Sequence, residues 1–161
     1  MVTSVVESVA RVGTYPELEG ARVLITGLEA GHGVDIARAF AEAGCRLVVQ
    51  TPDETHELEV VLEMLAAAAQ EVRVSSEPIT DETTALKFAQ DAAKAFGGLD
   101  VVVNLARLDD DGLEPDASPE DVEDRVAATL GRPFRITHVV ANRMQVTWKE
   151  GLILNIVTQR A

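Results

Sequence analysis

Short apolar runs that alternate with stretches of helical spacing constrain this 161-residue chain more than any other feature. The runs are "ARVLIT" (21–26), "RLVVQ" (46–50), "EVRVSS" (71–76), "LDVVVN" (99–104) and "GLILNIV" (151–157). Continuous Val, Ile and Leu suit strands buried on both faces. Strands that alternate with helices form a parallel sheet through right-handed crossovers. The chain is therefore expected to be an α/β protein with a doubly wound parallel sheet.

The intervening stretches read as helices. The first spans about 32–43, with Val34, Ala37, Phe40 and Ala41 on one face and Gly44 as its stop. The second carries Leu58, Val61, Leu62, Leu65 and Ala69 at helical spacing. Asp81 is the expected N-cap of a third, whose buried face is Ala85, Phe88, Ala89, Ala92 and Phe96 and which ends at Gly97 and Gly98. A loop rich in Asp, Gly and Pro covers 107–117. In "SPED", Ser118 then reads as a cap and Pro119 as the first helical residue, with Glu120 and Asp121 at the positive end of the helix dipole. That helix is expected to reach about Gln145, with Pro133 as a candidate kink. The first 15 residues space Val2, Val5, Val6, Val9 and Val12 almost helically, but valine is a modest helix former. Residues 1–17 are taken as an N-terminal extension and 18–161 as one domain, with no internal repeat, low-complexity tract or long linker.

"TGLEAGHG" (26–33) joins the first strand to the first helix. A tight strand-to-helix turn needs a residue without a side chain, and Gly27 is free to take positive φ. Gly31 would let the backbone approach a ligand, and Gly33 would let the helix sit close to the sheet. The helix N-terminus then offers free N–H groups and a partial positive charge to a pyrophosphate. Glycines in a strand–turn–helix context are a better signal than glycines alone. His32, between the last two glycines, is read first as an exposed helix-start residue and second as a phosphate ligand.

Charge and composition remove other classes. The formal net charge is −13, from 27 acids against 14 bases, which repels phosphodiester backbones and anionic membrane surfaces. Neither a nucleic acid nor a membrane is expected as a partner. No apolar run reaches the roughly 18 residues of a membrane span. The first residues lack a basic head followed by an apolar core, so no signal peptide is read there. A single cysteine, Cys45, excludes an internal disulfide framework and fits a cytoplasmic location. His32, His56 and His138 show no metal-ligand spacing with one another or with Cys45. Cys45 sits at the start of a buried strand, a poor place for a nucleophile.

The T-G-x-x-x-G-x-G spacing resembles the short-chain dehydrogenase/reductase family. "LEGARVLITG" is similar to that family's opening strand, and "FGGLDVVVNLAR" to its fourth, where "LDVLVNNAG" is usual. "SPEDVEDRVAATLGRPFRITHVV" resembles its long helix and "GLILNIVTQ" its "GxIVNISS" strand. The resemblance covers about residues 18–161. It implies a Rossmann-like sheet of order about 3-2-1-4-5 that lacks the C-terminal part of the family fold. It also implies NAD or NADP as cofactor, with Gly27, Gly31, His32, Gly33, Thr51, Asn104 and Ala106 as the cofactor-binding positions.

The family reduces or oxidises carbonyls and alcohols with a tyrosine as general acid/base, a lysine four residues later, a serine and an asparagine. The tyrosine must be poised near neutral pH, far from its free pKa of about 10. Thr158 falls at the serine and Thr129 at the asparagine. The tyrosine and lysine would follow Thr158 by about 13 and 17 residues, beyond Ala161, so no catalytic residue is assigned. Cofactor positions also depart from the pattern. Thr51, followed by Pro52, stands where an Asp binds the adenosine ribose, and no adjoining Arg selects a 2′-phosphate. Pro78 stands at the adenine-side Asp, with Asp53 and Glu77 as nearby substitutes. Leu105 and Arg107 replace the second Asn and the Gly of "NNAG", and Arg107 is read first as an exposed side chain.

Two functions follow. The chain is either the cofactor-binding portion of an oxidoreductase that is inactive in hydride transfer on its own, or a non-catalytic scaffold that keeps the fold and oligomerises. The stripe Leu130, Phe134, Thr137, Ala141 and Met144 on the long helix is the candidate interface, for a second copy or a partner chain.

Overall fold

Five β-rich runs become five parallel strands, each separated from the next by a helix or loop long enough to cross over; the three inner runs are buried along most of their length, whereas the edge runs at 71–75 and 152–159 are half-buried or exposed, because an edge strand has a neighbour on one side only. The computed structural model describes residues 15–52, 55–108, 115–148 and 150–159. The expectations for residues 1–14, for Asp53 and for the centre of the 107–117 loop lie outside the described residues. In chain order the elements are β1 (Arg22–Thr26), α1 (Gly33–Glu42), β2 (Arg46–Gln50), α2 (His56–Ala68), β3 (Glu71–Ser75), α3 (Glu82–Phe96), β4 (Val101–Leu108), α4 (Pro119–Arg143) and β5 (Leu152–Gln159). The sheet order is β3-β2-β1-β4-β5, with every pair parallel. This is the doubly wound, Rossmann-like order expected.

The period of two along a strand divides the core. Leu24, Val48 and Val102 face α3 and α4, against Phe88, Phe96, Ile136 and Val140. Val23, Ile25, Leu47, Val49 and Val103 face α1 and α2, against Ala37, Ala41 and Leu65. The five α3 residues expected to be buried are the five that are. In α1, Ala37 and Ala41 are buried and Phe40 half-buried, while Val34 is exposed, because it sits at the solvent edge of the first turn.

The helix caps follow local chemistry. Asp81 accepts from the backbone N–H of Thr84 at 2.8 Å, and the Thr84 hydroxyl accepts from the Asp81 N–H in return. Ser118 and Asp121 form the same reciprocal box ahead of Pro119. The structure adds a cap at Thr55, whose hydroxyl accepts from Leu58 N–H. Helix α4 continues as a single element through the buried Pro133, and a π turn over Met144–Trp148 takes it past the expected end. The long-helix stripe does not face one way. Met144 is buried and Thr137 half-buried, whereas Leu130, Phe134 and Ala141 are exposed, because Ile136, Val139 and Val140 form the face that meets the sheet.

Arg22 and Asp100 clamp the amino ends of β1 and β4. The guanidinium donates to both carboxylate oxygens, at 2.9 and 2.7 Å, and the Arg22 backbone N–H donates at 2.8 Å. These bonds hold the Asp100 carboxyl below the usual carboxylate range, with burial opposing them. A depressed folded pKa stabilises the fold above the unfolded value, near 3.9, and that stabilisation is lost as pH falls through the folded value. Asp100→Ala is expected to cost about 1–2 kcal/mol at neutral pH, a figure discounted for the pair's partial exposure. Urea titrations of both proteins should show the difference shrinking below about pH 4.

Candidate functional site

At the carboxyl end of the sheet the apolar rows give way to one polar row. Ser75, Gln50, Thr26, Asn104 and Asn155 stand in register, one per strand from β3 to β5. Thr26 Oγ1 donates to Asn104 Oδ1 at 2.9 Å. Asn104 Nδ2 donates to Asn155 Oδ1 at 2.9 Å and to Thr137 Oγ1 at 3.2 Å. The side chain of Asn104 is thus engaged with β1, α4 and β5. The strand order reverses between β1 and β4, the place where open α/β sheets leave a ligand crevice outside the strand ends.

The glycine turn closes this end of β1. Gly27 has φ +76°, and a Cβ there would strike the Leu105 carbonyl and the Arg132 guanidinium. Gly31 has φ +49°, and its close neighbour is Thr158, whose Oγ1 would lie 2.6 Å from an added Cβ. At Gly33 the obstacle is the Leu28 carbonyl, so this glycine lets the helix start fold onto its own turn rather than onto the sheet. His32 is the N-cap of α1 without a capping bond from its side chain. It is exposed, 3.7 Å from Asp35, as its first reading has it.

A cavity of about 420 Å³ runs across the strand ends. Gln50, Pro52, Pro78 and Ile79 line its β2–β3 side, and Ala106, Arg107, Thr129 and Arg132 its β4–α4 side, with Glu29 and Ala30 of the glycine turn between. Among the described residues, two buried side-chain polar atoms lack a hydrogen-bond partner, Gln50 Oε1 and Arg132 Nε. Both residues line this cavity. The other Arg132 nitrogens are engaged: Nη1 donates to Glu29 at 3.1 Å and Nη2 to the Leu105 carbonyl at 2.8 Å.

Of the expected cofactor positions, Ala106 lines the cavity directly. Gly27, Gly31, Gly33, His32 and Asn104 surround the same end of the sheet without lining it. Thr51 is buried and opens on the other side, into a cleft with Thr55, Leu58 and Val74. Strand alternation explains this, since Gln50 and Thr51 must point to opposite faces. Arg107 is exposed, and Pro78 and Thr129 line the cavity at the positions where the resemblance anticipates functional side chains. The sequence reading missed Gln50, Glu29 and Arg132. The available signal for Arg132 was its spacing, three residues after Thr129 and hence on the same helix face. Gln50 offered one too, as the polar end of an otherwise apolar run.

Cys45 is structural. Cys45 is buried beside the Leu18 carbonyl, and burial pushes its thiol up to about 11, so little nucleophilic thiolate forms at neutral pH. Among the described residues no three His, Cys, Asp or Glu side chains gather as a metal site, and no helix is long and apolar enough to cross a membrane.

The sheet order, the glycine turn and the switch-point cavity define a Rossmann-like α/β domain. The chain belongs to the short chain dehydrogenase family, whose model matches residues 21–161. It is 29% identical over 144 residues to an uncharacterized oxidoreductase of Thermotoga maritima, covering 89% of this chain and 56% of that protein. A short chain dehydrogenase from Mycobacterium avium superposes with a TM-score of 0.71 at 28% identity, covering 86% of this chain and 54% of that one. The NADH-dependent reductase A1-R′, solved with NAD, shares the fold with a TM-score of 0.70 at 21% identity, covering 87% of this chain and 60% of that one. The chain spans about half the length of the curated relatives it matches.

Proposed function

We propose that this chain is the nucleotide-binding portion of an oxidoreductase that uses NAD or NADP. The observation that carries this reading is a switch-point cavity beside the glycine turn whose lining residues Gln50 and Arg132 each keep one buried polar atom without a partner, Oε1 and Nε. Buried polar atoms without partners are uncommon, and a small side-chain shift on binding would let a ligand with complementary groups satisfy both. Arg132 Nε is suited to an anionic oxygen such as a phosphate's. The backbone of Gly27, Gly31, His32 and Gly33 and the α1 N-terminus would hold a pyrophosphate. Thr51, Asn104 and Ala106 complete the proposed binding set, Thr51 and Asn104 by shaping the strand ends. A bound nicotinamide dinucleotide would supply or accept a hydride. Thr158 presents its hydroxyl to the glycine turn beside Gly31, where it would hold a substrate oxygen. The acid/base pair for a carbonyl or alcohol would come from outside residues 1–161, so these residues alone would bind nucleotide without turning it over.

Thermal unfolding with NAD⁺, NADH, NADP⁺ and NADPH in turn tests this reading. A nucleotide at 100 times its dissociation constant should add about 2.7 kcal/mol of stability and raise the midpoint. A folded sample that shifts with none of the four contradicts it.

A second reading, that the chain is an oligomeric scaffold, is favoured by one observation. Val122, Val126, Leu130 and Phe134 recur every fourth residue along α4 and are all exposed, Phe134 by 70%. Such a ridge suits packing against the same helix of a second copy. Sedimentation at micromolar concentration should then give a homo-oligomer, and a monomer would contradict the reading.

A further inference from the structure

We propose that the Glu29–Arg132 ion pair is a latch across the glycine turn, and that the pyrophosphate of a dinucleotide enters by taking Arg132 from Glu29. The inference rests on the dinucleotide reading and goes beyond it, to how entry of the ligand is controlled. Glu29 belongs to the turn between β1 and α1, and Arg132 to α4, 103 residues further on. Their bond, from Arg132 Nη1 to Glu29 Oε1 at 3.1 Å, ties the turn to the helix. The guanidinium also lies against the bare side of Gly27. An added Cβ there would meet Nη2 and the Leu105 carbonyl to which Nη2 donates. The protein's own cation thus occupies the close approach that the first glycine of the turn leaves open.

The details of the pair distinguish a latch from a plain tether. Among the described residues that line the cavity, Glu29 is the one acid, and Arg107 and Arg132 are the cations. A carboxylate in the wall of a phosphate site opposes the phosphate unless it is neutralised or moves away. The pairing is also incomplete. Glu29 takes one guanidinium donor, the Leu105 carbonyl takes a second, and the buried Nε has none. A guanidinium presents its donors as a fork, and a phosphate can accept two of them at once. A phosphate therefore displaces a carboxylate that accepts only one. Glu29 is the partner placed to leave, because its side chain is 36% exposed against 20% for Arg132. It can turn into water, while the Leu105 carbonyl keeps its hold on Nη2. Exchanging one anion for another leaves Arg132 paired at the start and at the end, so no partly buried charge is stranded.

Calorimetric titration of NADH and NADPH into the full chain and its variants tests the inference. Glu29→Ala, and separately Glu29→Gln, releases Arg132 without removing it. Each is expected to tighten the better-bound nucleotide roughly 3- to 10-fold, the factor by which the latched form holds back the competent one. Removing a negative charge near an anionic ligand helps by itself, and Asp35→Ala measures that effect. Asp35 lies in the first turn of α1 and bonds Arg38 rather than Arg132, so its loss should gain less than about twofold. In an Arg132→Gln background, Glu29→Ala should also gain less than about twofold. Equal gains from Glu29→Ala and Asp35→Ala would overturn the latch while leaving dinucleotide binding intact. So would a gain that survives Arg132→Gln, or unchanged or weaker binding by a folded Glu29 variant. Binding by the Glu29 variants alone would support the latch and the reading beneath it. If neither they nor the unmodified chain bind either nucleotide, both fail. The comparison of Glu29 with Asp35 decides the matter even if Arg132→Gln fails to fold.

Discussion

Gly27→Ala is expected to lower unfolding stability by about 3 kcal/mol or more, whereas Gly97→Ala should lower it by only about 1 kcal/mol. The two glycines share a backbone conformation, φ +76° and +78°. They differ in what a side chain would meet. At Gly97 an added Cβ has nothing within 4 Å, so the cost is the left-handed conformation alone. At Gly27 it meets the Leu105 carbonyl, part of an eight-residue central strand, as well as Arg132. Arg132 can move, but Leu105 is paired with Ile156 of β5, and its carbonyl cannot withdraw without disturbing that ladder. Urea midpoints of the two variants separate the terms. Equal losses would show that the close approach of the turn to β4 contributes nothing. Gly27→Ala should also abolish any nucleotide-induced thermal shift, since it displaces the wall that carries Arg132.

What was legible in the sequence was mostly local. Strand positions followed from apolar runs, and the Asp81 and Ser118 caps from residue types at fixed offsets, because capping depends on neighbours three residues apart. The buried α3 face was equally readable, since one helix stripe against one sheet face leaves few alternatives. The family resemblance located the glycine turn and the strand ends. It drew the eye to Thr51 and Pro78, the positions where a familiar carboxylate was missing. The residue before Thr51 is the one that faces the cavity. In a strand buried on both faces, composition does not announce which of two successive residues looks toward the ligand. Arg132 was hidden for another reason. Its partners, Glu29 and Leu105, are 103 and 27 residues away in sequence, so only the crossing of α4 over the glycine turn reveals them. The split of the α4 stripe into buried and exposed residues had the same origin, because the rotation of a long helix is set by the sheet it meets.

Asn104→Ala is expected to cost about 2–4 kcal/mol, combining lost buried hydrogen bonds with the space left behind. For a domain of this size about 3 kcal/mol lowers the melting midpoint by roughly 6–12 °C. The side chain is fully buried, and it is the only member of the polar row that bonds to two other members. Truncation leaves the buried Thr26 hydroxyl without its acceptor. Asn155 keeps the Thr137 hydroxyl, which donates to it at 3.1 Å, so the damage concentrates on the β1–β4 side of the row. Asn155 is exposed, and Asn155→Ala should therefore cost less than half as much, because water replaces its bonds. A double-mutant cycle on Asn104 and Thr26 should return a coupling of about 1–2 kcal/mol if the row acts as one network. Simple additivity would mean that the row is polar only to suit the end of the sheet. With coupling present, the strand ends of β1, β4 and β5 are fixed relative to one another by their own hydrogen bonds, so the sheet end beside the cavity keeps its shape without a ligand.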